Sequence, residues 1–217
     1  MKIKTKLAIE VIILVSLVSM VSFIALINTK QVQDTFLNLS GETLPILGTL
    51  EDIRTATTLV TSTTMQIILI EDESRSAFGD ELAALEEDLE WEFVNIENAK
   101  DEFNNAYSNY SILMENNFPD QIIHRDEIAK KWNNLLLSSN KMIRMKAAGA
   151  VGNDILNLKN DFNLAHREMQ HALDKGVEIT ASDVHQRQSF VESLVNNTTM
   201  TILISLNLFI AAALGIR

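Results

Sequence analysis

The chain has 217 residues, no Cys, two Pro and seven Gly, and a net charge of −11. This excludes a disulfide framework and a thiolate metal site, and so little Gly and Pro argues against a loop-rich or all-β fold. The charge is unevenly placed: Lys2, Lys4, Lys6 and Arg217 sit at the ends, while residues 29–199 hold every acidic residue except Glu10, which disfavours nucleic acid and anionic lipid as partners of that segment.

Val11 to Ile27 reads VIILVSLVSMVSFIALI, without charge, Pro or Gly. As a helix begun at Leu7 it spans about 31 Å, the thickness of a bilayer's hydrocarbon core. A cleaved signal peptide is the competing reading, but its apolar region would be too long and no A-x-A site follows. Ser16, Ser19, Ser22 and Ala25 recur at every third position, either by chance or as a stripe that lets membrane helices approach closely. A second apolar stretch, Met200 to Ile216, closes the chain. Its competing reading is a buried core helix, yet its one Asn, Asn207, is tolerable where a membrane helix faces a partner. Lys-rich short flanks stay inside the cell. The expected division is therefore a cytoplasmic N-terminus at 1–6, membrane helices at 7–28 and 200–216, and an extracytoplasmic domain at 29–199.

From Val32 and Phe36 through Leu39, Thr43, Ile46, Leu50 and Ile53 to Ile67, apolar residues and threonines alternate at spacings of four and three. That is a heptad seam running straight out of the first apolar stretch. Gly41 and Pro45 fall inside it, and Pro45 predicts a bend near residues 41–44, because it removes a backbone donor. This first helix is expected to end near Ile70, with a polar turn at Glu71 to Gly79. A second helix follows from Asp80 to Asn116, with Leu82, Ile96, Ala99, Phe103, Tyr110 and Leu113 inward and Glu92 off the pattern. After Phe118-Pro119, a third runs to Ala148 with Ile122, Ala129, Trp132, Leu136 and Ile143 inward. Gly149 and Gly152 break it. The fourth opens at Asp154, with Ile155, Leu158, Phe162, Ala165, Met169, Ala172, Gly176 and Ile179 inward. Its seam loosens near Asp183 and Gln186 and resumes at Phe190 and Leu194. Short connections make sequential helices antiparallel neighbours. The expected fold class is all-α: an antiparallel four-helix bundle whose first and fourth helices are continuous with two transmembrane helices. The acidic run from Asp80 and the basic Lys141, Arg144 and Lys146 fall at the same end of such a bundle, as an attracting pair of faces or as two solvated ones.

Catalytic motifs are absent: no phosphate loop, HExxH, GxSxG or kinase signature occurs. His166 and His171 are five apart and off one face, so neither a metal nor a cofactor is expected. One polar run stands out. From Arg54 to Thr64, seven of eleven residues carry hydroxyls, although Thr is a mediocre helix former. Arg54, Thr57, Thr58 and Thr61 are the candidate ligand-binding residues, a hydroxyl stripe beside a cation that fits an anion or small zwitterion. The competing reading is that each Thr bonds the carbonyl four residues back and packs through its methyl. Sequons occur at Asn38, Asn109, Asn196 and Asn197.

The order of parts, with LPIL at Leu44 to Leu47 and AAALGIR at Ala211 to Arg217, resembles the input half of a methyl-accepting chemotaxis protein. Sensor histidine kinases of two-component systems carry a similar module, and in such receptors a similar ending leads into a HAMP linker. The resemblance implies a non-enzymatic chemoreceptor input module and a homodimer formed through the first helix. It also implies a small-molecule or protein ligand outside the cytoplasm, and a fourth helix displaced by about 1–2 Å to pass the signal to an output region. Of the arginines such receptors use for ligands, this sequence offers only Arg54 on the membrane-distal half of the first helix. Two other readings are the same module on a histidine kinase and a non-signalling membrane-anchored scaffold.

Overall fold

The computed structural model describes residues 3–74, 77 and 79–215. The side chains of residues 1–10, 209 and 211–217 lie outside that description, and with them the flanking Lys2, Lys4, Lys6 and Arg217. The fold is all-α, with no strand among the described residues. In chain order the elements are α1 (Ile3–Asn38), a π-helical turn (Leu39–Thr43), α2 (Leu44–Ser74) and α3 (Asp80–Asn117). A 3-10 turn (Pro119–Gln121), α4 (Ile122–Ala147) and α5 (Asn153–Gly215) complete the chain. The first bundle helix thus runs past Ile70 to Ser74, and residues 75, 76 and 78 of the expected turn lie outside the description.

The π turn answers Pro45. Proline has no N–H, and its ring crowds the carbonyl four residues back, here that of Gly41. Widening the preceding turn, Leu39–Thr43, accommodates this without ending the helix. The wider turn also shifts the heptad by one residue. Upstream, the half-buried positions are Leu17, Val21, Ile24, Ala25, Asn28, Val32, Thr35 and Leu39. Downstream, the buried ones are Thr43, Ile46, Leu50 and Ile53. Phe36, expected inward, is therefore 66 % exposed, and Thr35 takes its place.

The chain divides into two compact units. The larger, Glu42–Ala181, is the helical bundle. Its core gathers Ile46, Leu50, Ile53 and Val60 of α2, Phe103 and Tyr110 of α3, Trp132 and Leu135 of α4, and Phe162, Met169 and Leu173 of α5. The Phe103 and Trp132 rings stack with centroids 3.9 Å apart. In α4 the seam is Ile128, Trp132, Leu135, Ser139, Met142 and Lys146, spaced four and three. Ala129 and Leu136, expected inward, are only half-buried one residue aside. The run Leu135–Leu137 offers a leucine to any face, and Ser139 and Lys146 disguise the true stripe. In α3, Met114 replaces Leu113 for the same kind of reason. Lys146 reaches Asp72 of α2, so charge at that end ties α4 to α2. Gly176 is where a side chain would not fit freely. A Cβ there would lie 3.2 Å from Leu50 Cδ2 and 3.6 Å from the Tyr110 hydroxyl, so the glycine lets α5 approach α2 and α3 closely. The turn glycines Gly149 (φ 89°) and Gly152 (φ 62°) occupy the left-handed region that side chains avoid.

The smaller unit joins residues 1–41 to residues 182–217. Its α1 is long and apolar enough to cross a membrane, and its most apolar window is entirely unburied. Phe23 (64 %) and Leu26 (70 %) of α1 are exposed, as are Ile204 and Leu206 of α5. The facing residues of α5 in this unit are Val184, Arg187, Val191, Leu194, Thr198, Thr201 and Ser205. Phe190, expected on that seam, is half-exposed beside Val191. The seam does not lapse near Asp183. It turns polar, with Arg187 Nε donating to Asp183 at 2.7 Å. The Asn28 amide donates to the Thr198 hydroxyl. Ser22 and Ser205 line an apolar hollow of about 350 Å³ with Leu17, Val21 and Ile202. Of the small-residue stripe, Ser16 and Ser19 are exposed, while Ser22 lines the hollow and Ala25 is half-buried.

Phe162→Ala, at a fully buried ring, is expected to lower stability by about 3–5 kcal/mol. Trp91→Ala, at a 65 % exposed ring, is expected to change it by about 0.5 kcal/mol or less. Urea unfolding of the full chain in detergent, followed by helical circular dichroism, measures both.

Candidate functional site

The hydroxyl-rich run lies in the middle of α2, against α5. Every threonine bonded here donates to its own helix. Thr55 donates to the Glu51 carbonyl at 3.0 Å, Thr57 to Ile53 at 2.8 Å, Thr58 to Arg54 at 2.9 Å and Thr61 to Thr57 at 2.9 Å. This local bonding lets Thr57 and Thr64 sit in the core with no exposed surface.

The four sequence candidates do not converge on one point. Thr57 is fully buried, while Thr58 faces outward. Arg54 and Thr61, one heptad apart, turn toward α5. Arg54 Nη2 donates to Asp174 Oδ1 at 2.8 Å, with Glu51 of its own helix 3.8 Å from Nε. At 33 % and 64 % side-chain exposure, the Arg54–Asp174 pair is a surface contact, contributing about 0–1 kcal/mol. Thr61 meets His166 Nδ1 at 2.9 Å. Its single proton already goes to the Thr57 carbonyl, so the imidazole must be the donor, with its proton on Nδ1. The separation between paired residues falls from 120 to 105 across that heptad, as antiparallel helices require. Beside His166, the face of α5 with Asn160, Asn163 and Arg167 borders an open hollow of about 500 Å³.

Asp174 escaped the sequence reading, which weighed His166 only as a metal ligand. Both lie on α5 away from any motif, and only the antiparallel register aligns them with Arg54 and Thr61. Ser139 escaped it too. Thr64 donates to the Val60 carbonyl at 2.6 Å, so the Ser139 hydroxyl, 2.7 Å away, donates to Thr64. That pair makes a satisfied polar layer between α2 and α4.

The chemistry open to this seam is recognition. It offers two guanidiniums, Arg54 and Arg167, with exposed hydroxyls, an imidazole and amides, to a polar solute. Among the described residues, no group of three His, Cys, Asp or Glu could hold a metal ion. Burial pushes the His166 pKa below its ordinary 6.5. Burial also pushes the Tyr110 phenol up to about 12, so it stays protonated beside Gly176.

Residues 1–189 match the family described as a four helix bundle sensory module for signal transduction. No curated protein and no solved structure matches the chain.

Thr64→Val leaves the Ser139 hydroxyl buried without its acceptor, and is expected to cost about 1–3 kcal/mol. Adding Ser139→Ala to it should recover most of that loss, a coupling that a double-mutant cycle in urea reads directly. The lowered pKa of His166 predicts a pH dependence as well. The unfolded chain takes up this proton below about pH 6.5, and the folded chain only at lower pH. The contribution of His166 is therefore constant above that value and declines as pH falls beneath it. Between about pH 7.5 and 5.5, the urea midpoint of His166→Gln should fall less than that of the parent chain.

Proposed function

The chain belongs to the four-helix-bundle sensory modules for signal transduction, the type found in methyl-accepting chemotaxis proteins, and we propose that it is the input half of a transmembrane chemoreceptor. The bundle stands outside the cytoplasm. The N-terminal stretch 7–28 and the C-terminal stretch 200–216 cross the membrane, and both chain ends lie inside. The observation that carries this reading is α1, whose most apolar window contains no fully buried residue over a length that crosses a bilayer. The exposed Ile202, Leu203, Ile204, Leu206 and Leu208 of α5 support the second crossing.

Signalling in this reading is a shift of α5 along α2. The seam between them suits such a shift. Arg54–Asp174 and Thr61–His166 are side-chain contacts at or near the surface. The threonines take their own carbonyls as partners, so sliding α5 breaks few bonds. A polar solute that reaches Arg54, Thr58, Thr61 and the nearby His166 would favour one register over another, which is all that a ligand needs to do. Two copies pair through the outward face of the first helix, where Leu37 (56 %) and Leu44 (51 %) are exposed. The output region follows the second crossing.

The test fuses the chain, through Arg217, to the HAMP and kinase-controlling region of a chemoreceptor. Thr61→Cys and His166→Cys are introduced together, and the chain has no native Cys. Oxidation in membranes is expected to hold α5 against α2 and to fix kinase output at one level, and reduction to release it. Equal output in the oxidised and reduced states, with the disulfide formed, contradicts the proposal.

A further inference from the structure

The acidic run of α3 and the basic run of α4 do not neutralise each other within the chain. Residues 80–102 hold ten acidic side chains and one basic one, Lys100. Residues 128–147 hold five basic side chains and no acidic one. The cations of α4 that find partners turn to other helices, Lys146 to Asp72 of α2 and Lys131 to Glu168 of α5. Among the described residues, Lys141 and Arg144 of α4 make no ion pair, and neither do Glu90 and Asp101 of α3. All four are exposed.

These unspent charges share one open face. Asn104 of α3 and Asn133 of α4 line opposite walls of a groove between the two helices that is open to the surface. Glu90, Phe93 and Asp101 extend the α3 wall at helical spacing, and Leu137 and Arg144 extend the α4 wall. Phe93 is 46 % exposed and Leu137 67 %, so each stripe carries an apolar side chain among its charges. The heights also match. Ile96 packs with Ile143, and Phe103 stacks on Trp132. In antiparallel helices these contacts put Lys141 and Arg144 at a height between Glu90 and Asp101.

We propose that the α3–α4 face is a contact between copies of this chain, with α3 of one copy against α4 of the next. A two-fold axis along the bundle sets each helix of this face opposite the other helix of the second copy, at unchanged height. The acidic stripe then meets the basic stripe twice. A foreign basic protein would answer the α3 stripe alone and leave the α4 stripe facing water, whereas a second copy answers both. The shared direction of the two copies rests on the membrane reading above. The net charge of −11 repels copies at a distance, but salt screens that field over about 8 Å, and the stripe that α3 meets holds cations without an acid. Each exposed ion pair contributes about 0–1 kcal/mol. Confinement to one membrane raises the effective concentration enough for so weak a contact to form. The pairing through the first helix uses other residues, so the two contacts together would join pairs of copies into rows.

The chain has no Cys, which permits a two-copy experiment. A copy carrying Val94→Cys and a differently tagged copy carrying Asn140→Cys, both at exposed positions, are expressed together and treated in membranes with a short bismaleimide. A product bearing both tags is expected, well above that from two Val94→Cys copies or from Thr58→Cys with Asn140→Cys. Lys141→Glu with Arg144→Glu in the Asn140→Cys copy should lower that product about fivefold or more. Adding Glu90→Lys with Asp101→Lys to the Val94→Cys copy should restore it, which neither a folding defect nor a change in expression would do. Three results would each overturn the proposal: a product no greater than in the two control pairs, a product indifferent to the first charge reversal, or a loss that the complementary reversal leaves unrepaired. Reaction of Thr58→Cys with an impermeant maleimide in intact cells tests the membrane reading separately. If Thr58→Cys is labelled from outside while the product is absent, this contact fails and the reading stands.

Discussion

The shape of this chain follows from a surface that water does not tolerate. Along α1, large apolar side chains such as Ile12, Phe23 and Leu26 are each more than 60 % exposed. In water that surface costs about 25 cal/mol for every Å² left uncovered, whereas in hydrocarbon it costs nothing. A bilayer sets its own condition in return, since each backbone N–H and C=O inside it must bond within the helix. The sequence meets that condition by order. No Gly or Pro occurs before Gly41, so the irregular turn at Leu39–Thr43 falls beyond the apolar stretch. A proline twenty residues earlier would leave broken hydrogen bonds where no water could mend them.

The bundle unit has a different constraint, the register between long antiparallel helices. Its core contains aromatic and aliphatic layers interrupted by hydroxyls at Thr57, Thr64, Ser139 and Thr180. Each bonded hydroxyl is satisfied locally or by one neighbour, as in the Thr180 donation to Gly176 at 2.9 Å. Such layers do not interlock as tightly as leucine would, and a seam of this kind specifies register less sharply than a fully aliphatic one. Gly176 adds to this, because it brings α5 close to Leu50 and Tyr110 with no side chain of its own to interdigitate.

Much of the architecture was legible in the residues. Breakers placed the helix ends: Pro119, Gly149 and Gly152 fall where the connections are. The inward positions were less legible. In α4, Leu135–Leu137 fits several faces, and the true stripe passes through Ser139 and Lys146, which no hydrophobic count selects. Upstream of Pro45, periodicity alone put Phe36 inward, because it carries no information that a turn has been widened by one residue. Of the candidate site, Arg54 and Thr61 were found from composition. Their partners Asp174 and His166 were not, since only antiparallel packing brings residues more than a hundred positions apart into contact.

The most direct test of the account is the side of the membrane on which the bundle stands. Thr58 is exposed on α2, and the chain has no Cys to compete for reagent. Thr58→Cys and, separately, Lys2→Cys are treated with a membrane-impermeant maleimide in intact cells and after lysis. The account predicts that Thr58→Cys reacts in intact cells and that Lys2→Cys reacts only after lysis. Protection of Thr58→Cys until the cells are opened would place the bundle in the cytoplasm and contradict a receptor that samples the outside.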